Sequence, residues 1–162
     1  MFCVELGLLE VVVHLEWLDL KGNALTTLDG FPMLQQLTTL DVSDNDLVDV
    51  GGVCGLPGLA WLSVSNNDLA DLSVSDLPSL GVLDASNNDL TGLSLARLPV
   101  LSTLVLSSNN LAERECVSVL ATSLPELEEL DIRDNDISYD HRLSLHAHFA
   151  SVAPQVTLKV RI

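Results

Sequence analysis

One eleven-residue pattern, L-x-x-L-x-L-x-x-N-x-L, occurs six times in this chain, with other aliphatic residues replacing some leucines. Its asparagines are Asn23, Asn45, Asn67, Asn88, Asn109 and Asn135, so successive copies are 22, 22, 21, 21 and 26 residues apart. Apolar and polar residues alternate within each copy, which is typical of a half-buried strand. Because one such unit cannot bury its apolar face alone, the copies are expected to stack.

This pattern and period resemble the leucine-rich repeat family. The resemblance implies an α/β fold, a right-handed solenoid with a parallel concave sheet of six to seven strands. Three-residue spacing between repeats predicts short 3₁₀ returns, as at Leu47, Val50, Val53, Leu56, Leu59 and Leu62. The last return is longer, and its apolar residues predict an α-helix over 113–123 that ends before Pro125. The asparagines are expected to hydrogen-bond backbone groups at each turn and not to bind ligands.

The finer resemblance is to the 22-residue class of these repeats found in a regulatory subunit of protein phosphatase 1. The segment from Asn135 through Ile137, Arg142 and Pro154 resembles the C-terminal cap of intracellular members, although it lacks their proline and the tyrosine before the arginine. Similar caps occur in the spliceosomal A-prime protein, acidic nuclear phosphoproteins and axonemal proteins. We expect a single domain, 1–162, with six repeats over 15–137 and a cap with one helix over 138–162.

The first 14 residues match the return of a repeat that has no strand, with apolar residues three apart at Cys3, Leu6, Leu9, Val12 and Leu15. Solenoid ends need a polar cap. We therefore expect a partner or a missing upstream segment to cover this edge. The alternative is a compact self-capping N-terminus, for which Val11–Val13 is poor helix-forming sequence.

The net charge is −16, and residues 1–96 contain 14 acidic residues against one base, Lys21. This balance disfavours nucleic acid and anionic membranes and suits a basic partner, although solubility alone could account for it. Cys3, Cys54 and Cys116 suggest no disulfide framework, and no secretory signal or membrane span is evident. We expect an intracellular protein of the cytoplasm or nucleus, with a cytoskeletal or ciliary assembly as one possibility.

Outward residues of the strands are expected to form columns on the concave face. One column includes both tryptophans of the chain, Trp17 and Trp61, on either side of Thr39. Aspartates lie beside them. The predicted partner-binding residues are Trp17, Asp19, Thr39, Asp41, Trp61, Ser63, Asp84, Glu129 and Asp131. Exposed tryptophans beside carboxylates are typical of a binding hot spot for lysine or arginine. In the alternative interpretation, the indoles cover the sheet and bind nothing.

Chemistry of other kinds is not indicated. The column Asp46, Asp68, Asp89 and Asp136 fits ordinary turn chemistry better than calcium binding. His146 and His148 fall on different faces of a helix, which disfavours a shared metal. We therefore predict no cofactor and no enzyme activity. The predicted function is a protein–protein interaction module or scaffold subunit that binds a basic segment. The alternatives are an acidic histone-binding chaperone or an A-prime-like partner of an RNA-binding domain.

Overall fold

A computed structural model describes residues 14–112 and 124–160. Within these ranges the chain forms nine strands, one α-helix and one short 3₁₀ helix. The predictions for the N-terminal partial repeat and for the helical return over 113–123 lie outside the described residues.

Seven short strands form one parallel sheet, which confirms the predicted repeat architecture. Each motif copy contributes one strand, and the seventh strand comes from the cap. Their order across the sheet is β1 (Trp17–Asp19), β2 (Thr39–Asp41), β3 (Trp61–Ser63), β5 (Val82–Asp84), β7 (Thr103–Val105), β8 (Glu129–Asp131) and β9 (Thr157–Lys159). Since every pair is in register, equivalent residues of successive repeats stand side by side.

The core is an aliphatic column built from the motif leucines. The middle residue of each central strand is fully buried, while the residues on either side of it point to the opposite face. These middle residues are Leu40, Leu62, Leu83, Leu104 and Leu130. The alternation of apolar and polar residues therefore separates a buried inner face from the outward face that carries the predicted binding residues.

The returns differ from one another. Gly51–Val53 forms the 3₁₀ helix that the three-residue spacing predicts. In the next two repeats, β4 (Asp71–Ser75) and β6 (Gly92–Ala96) instead pair as a second, two-stranded parallel sheet. These two strands differ from the 3₁₀ returns expected from the sequence. Their local cause is a period-2 alternation, in which Leu72, Val74 and Leu95 are buried between more exposed neighbours.

The C-terminal cap contains α1 (Tyr139–Val152), followed by β9. Leu145 and Phe149 bury their side chains against the last repeat. Arg142 donates a hydrogen bond from Nε to the Ile137 carbonyl at 2.7 Å, which links the helix to the end of the sixth motif. The cap thus closes the apolar column with a helix and extends the sheet by one strand, as expected for a solenoid end.

The motif asparagines form a ladder of hydrogen bonds along the solenoid. In the second to sixth repeats Oδ1 accepts the N–H of a residue in the preceding repeat, as when Asn45 accepts from Leu25 at 3.1 Å and Asn67 from Leu47 at 2.9 Å. The same amides donate to nearby carbonyl groups, for example from Asn45 to Val42 at 2.9 Å. The ladder satisfies turn backbone groups that would otherwise be buried without partners, so the expected structural role of the asparagines is confirmed.

The residue before each ladder asparagine has a left-handed backbone conformation. These residues are Gly22, Asp44, Asn66, Asn87, Ser108 and Asp134, with φ between 53° and 68°. Glycine, asparagine and aspartate adopt this region at the lowest cost. The turn that directs the chain away from the sheet therefore determines the composition of this position.

Candidate functional site

The first column on the concave face is the one that contains both tryptophans. In the strand register, Trp17 pairs with Thr39, and Thr39 pairs with Trp61. Two strand spacings separate the tryptophan backbones, about 10 Å. Trp17 is 63% exposed and Trp61 is partly exposed. The column continues through Val82, Thr103 and Glu129 to Thr157.

The two indoles remain separate on this surface. Within the described part of the chain, the only aromatic ring contact is between His148 and Phe149 in the cap helix, far along the sequence from both tryptophans. Thr39, the residue between the indoles, is smaller and partly buried. The structure thus places Trp17, Thr39 and Trp61 in one column, as predicted. The smaller side chain of Thr39 rises less far from the sheet than the two indoles on either side of it.

The second column contains the aspartates. Their side chains also have a structural role, which was not expected from the sequence. Oδ1 of each aspartate accepts the backbone N–H two residues later, at 2.9–3.1 Å. The four aspartates are Asp19, Asp41, Asp84 and Asp131. This is an Asx turn at the end of each strand. The signal was available in the sequence, since Asp two residues before a tight turn commonly makes this bond.

Ser63 occupies the same column in the third repeat. It is buried, and its hydroxyl lies 3.2 Å from the hydroxyl of Ser65. Ser63 was predicted to contact a partner, but its burial leaves little of the side chain on the surface. The partner-binding role of Ser63 therefore remains a prediction, with at most a small contact.

Cations from the chain itself neutralise the C-terminal end of the face. Lys159 of β9 forms an ion pair with Glu129, its neighbour one strand and one column away. The Arg133 guanidinium contacts both carboxylate oxygens of Asp131, the shortest contact being 2.6 Å. Burial alone would raise the pKa of Asp131, but hydrogen bonds from the Arg133 side chain and backbone outweigh it and lower that pKa.

The N-terminal end of the face retains its negative charge. Lys21 extends to Asp44 at 3.2 Å. Its pKa is raised, first by the hydrogen bond and charge of Asp44 and then by the charges of Asp41 and Asp19. Asp41 forms no ion pair with any of the residues that the structure describes. The two ends of the predicted site therefore differ, because cations of the chain pair with Glu129 and Asp131 but not with Asp41.

A separate concavity of about 600 Å³ lies on the return side of the solenoid. Three prolines at equivalent positions, Pro57, Pro78 and Pro99, line it together with Gly55, Asp76 and Arg97. Arg97 and Asp76 form a bidentate ion pair at its edge. This concavity shares no residue with the concave face, and its charged groups already satisfy each other.

No cluster of three or more metal-binding side chains occurs in residues 14–112 and 124–160. In the same ranges, no helix has the length and apolar character needed to cross a membrane.

Comparison with known proteins agrees with the repeat pattern. A family model described as leucine-rich repeat matches residues 34–54 and 124–140, which include parts of the second and sixth repeats. The fold is a parallel-sheet solenoid, and its repeats are similar to the leucine-rich repeat family. A comparison with the curated proteins gave no match.

Two solved structures are similar in shape. One is an internalin from Listeria monocytogenes, with 17% identity, a TM-score of 0.44, and coverage of 95% of this chain and 58% of that one. The other is a leucine-rich repeat protein from Leptospira interrogans, with 21% identity, a TM-score of 0.44, and coverage of 93% and 50%. The chain thus spans 58% and 50% of the lengths of these two proteins.

Proposed function

We propose that this leucine-rich repeat protein is a non-catalytic interaction module that binds a basic protein segment on its concave face. The observation that carries the proposal is the juxtaposition of Trp17 and Trp61 with Asp41, whose carboxylate forms no ion pair with the described residues. Large aromatic residues supply most of the binding energy in protein interfaces. A carboxylate beside them selects a cationic partner and speeds its association.

The binding energy is assigned to the N-terminal half of the face. Trp17, Asp19, Thr39, Asp41 and Trp61 lie on three adjacent strands. At the other end, Glu129 and Asp131 already pair with Lys159 and Arg133. A partner would have to displace these cations to use the two carboxylates, so their contribution to affinity is expected to be small. Asp84 lies between the two regions, with one tryptophan, Trp61, on the neighbouring strand.

A scaffold role in a larger intracellular complex is the form of this function that we favour. Two other functions follow from the acidic charge and the cap. An acidic nuclear chaperone would bind histones through charge over the whole surface, so it would depend little on the tryptophans. An A-prime-like protein would associate with an RNA-binding domain and have no RNA affinity of its own. We further propose that the partner carries arginine or lysine and that no cofactor takes part.

The test is affinity capture from cells of the source organism, followed by mass spectrometry. The wild type is compared with the double variant Trp17→Ala/Trp61→Ala and with the control Met33→Ala/Val48→Ala. The control removes apolar side chains that are 57% and 61% exposed, away from the concave face. The proposal expects one set of partners to be lost with the tryptophan variant and retained with the control. Retention of every partner by the tryptophan variant would refute it.

A further inference from the structure

Asp131 shows how a carboxylate in the second column binds a guanidinium. Its Oδ1 accepts the Arg133 backbone N–H at 3.1 Å and still accepts Nε at 2.9 Å, while Oδ2 accepts the terminal nitrogen at 2.6 Å. The Asx turn therefore does not consume the binding capacity of the carboxylate. An aspartate at this position can hold the turn and an arginine fork at the same time.

Asp41 has the same local structure without the arginine. It stands two strands from β5 and one from β1, in the same column as Asp131, and its Oδ1 accepts the Ser43 N–H at 2.9 Å. Serine replaces Arg133 at the equivalent position, and that serine is buried. The carboxylate of Asp41 is partly exposed. Asp41 thus has the same carboxylate arrangement as Asp131. Among the described residues, no arginine side chain binds to it.

The tryptophans distinguish Asp41 from the other aspartates of the column. Thr39, one residue before Leu40 on the same strand, lies between Trp17 and Trp61 in register. A planar guanidinium stacks on an indole face more favourably than a compact, strongly hydrated ammonium does. Asp84 has only one such neighbour, because Trp61 and Thr103 occupy the positions on either side of Val82 in the first column.

We infer that the concave face recognises an arginine side chain of its partner, with the guanidinium paired to Asp41 and lying against Trp17 and Trp61 over Thr39. This inference rests on the proposed function and narrows its basic partner to one bearing an exposed arginine. Lysine gives a weaker complex because it makes a single point contact. Dimethylation of the arginine also weakens binding, since it retains the charge but blocks bidentate hydrogen bonding.

The experiment uses the intrinsic fluorescence of the protein, because the chain contains two tryptophans and both belong to the proposed site. The probes are capped Gly-Gly-X-Gly-Gly peptides in which X is arginine, lysine or dimethylarginine, titrated at low ionic strength into the full chain. We expect the arginine peptide to change the emission and to bind about fivefold more tightly than either of the other peptides.

Asp41→Asn is the test variant, and Asp89→Asn is its charge-matched control, because Asp89 is exposed and lies outside the strands of the concave face. Both substitutions keep an oxygen that can accept the existing hydrogen bond, from the Ser43 N–H to Asp41 and from Asn110 to Asp89. Both variants are therefore expected to fold, which circular dichroism checks. Asp41→Asn should lower the affinity for arginine roughly fivefold and bring the arginine-to-lysine ratio close to one. Asp89→Asn should leave both affinities within about twofold of the wild type.

Three results would overturn the inference. They are equal binding of the arginine and lysine peptides, equal losses in Asp41→Asn and Asp89→Asn, and an emission that no peptide changes. None of them bears on the proposed function, which fails separately if cellular partners are captured equally by the Trp17→Ala/Trp61→Ala protein. The two ideas can therefore be refuted independently.

Discussion

Replacing one ladder asparagine tests the physical basis of the solenoid, and Asn67→Ala is the most informative choice. Asn67 is 7% exposed. Its Oδ1 accepts the Leu47 N–H at 2.9 Å. Its Nδ2 donates to the carbonyl groups of Val42, Val64 and Ser65 at 3.0–3.2 Å. The substitution removes four hydrogen bonds. Its effect differs between the three carbonyl groups and the one backbone N–H that lose their partner.

Each of the three carbonyl oxygens retains a second donor: Asn45 Nδ2 to Val42 at 2.9 Å, Asn88 Nδ2 to Val64 at 3.1 Å, and the Asp44 N–H to Ser65 at 3.0 Å. The Leu47 N–H has no other acceptor among the described residues, and Leu47 is fully buried. A buried donor left without a partner costs about 1–3 kcal/mol. We therefore expect Asn67→Ala to lower the free energy of unfolding by about 2 kcal/mol.

The measurement is urea unfolding followed by circular dichroism, together with thermal unfolding. A loss of about 2 kcal/mol corresponds to a fall in Tm of about 4–8 °C for a chain of this size. Asn110→Ala is the control, because Asn110 is exposed and donates only one hydrogen bond, to Asp89 at 3.3 Å. The control should stay within about 0.5 kcal/mol of the wild type. An equally small effect for Asn67→Ala would refute the argument that the ladder satisfies buried backbone donors.

Three further predictions concern other positions. Gly52→Ala should destabilise by about 3 kcal/mol or more in urea unfolding, because its Cβ would lie 2.1 Å from the Leu28 carbonyl oxygen; Gly51→Ala, whose Cβ meets nothing closer than 3.5 Å, should be nearly neutral. Ser108 has φ 57°, so Ser108→Gly should raise stability by up to about 1 kcal/mol and Ser108→Val should lower it in the same assay. The hydrogen bonds from Arg97 lower the pKa of Asp76 from 3.8 to about 2. Stability from this exposed pair is therefore present above pH 3.8 and is lost as the pH falls towards 2. Arg97→Gln should return the Asp76 pKa towards 3.8 in an NMR titration and weaken that acid dependence; an unchanged pKa would contradict the assignment.

The motif was sufficient to predict the seven-stranded sheet, the aliphatic core and the ladder, because those features depend on residues repeated in every copy. The second sheet was missed for an opposite reason. It depends on only two returns, Asp71–Ser75 and Gly92–Ala96, whose period-2 alternation differs from the three-residue spacing of the earlier returns. The alternation is visible in the sequence of each of these two returns when it is taken by itself.

The columns of the binding face were also predictable, since a fixed register follows from the repeat. The charge on that face was not. Lys159 reaches Glu129 only because β9 extends the sheet in register with β8, and the departure of the cap from its family pattern obscured that strand. Arg133 folds back on Asp131 within one motif, a side-chain conformation that spacing does not determine. Sequence alone therefore located the face without showing which half remains charged.

The Asx turns do not explain why the concave face carries negative charge at Asp19 and Asp41. The aspartates of the column accept a backbone hydrogen bond after the strand, and a negative charge is not required for that bond. Ser63 occupies the position in the third repeat with a hydroxyl, and Val105 occupies it in the fifth with no side-chain acceptor at all. The solenoid therefore tolerates a neutral residue in this column, as in β3 and β7. The charge at Asp19 and Asp41 exceeds what the fold requires, and it lies on the strands beside both tryptophans. Solubility alone would place such charge anywhere on the surface, whereas binding of a cationic side chain requires it at this place.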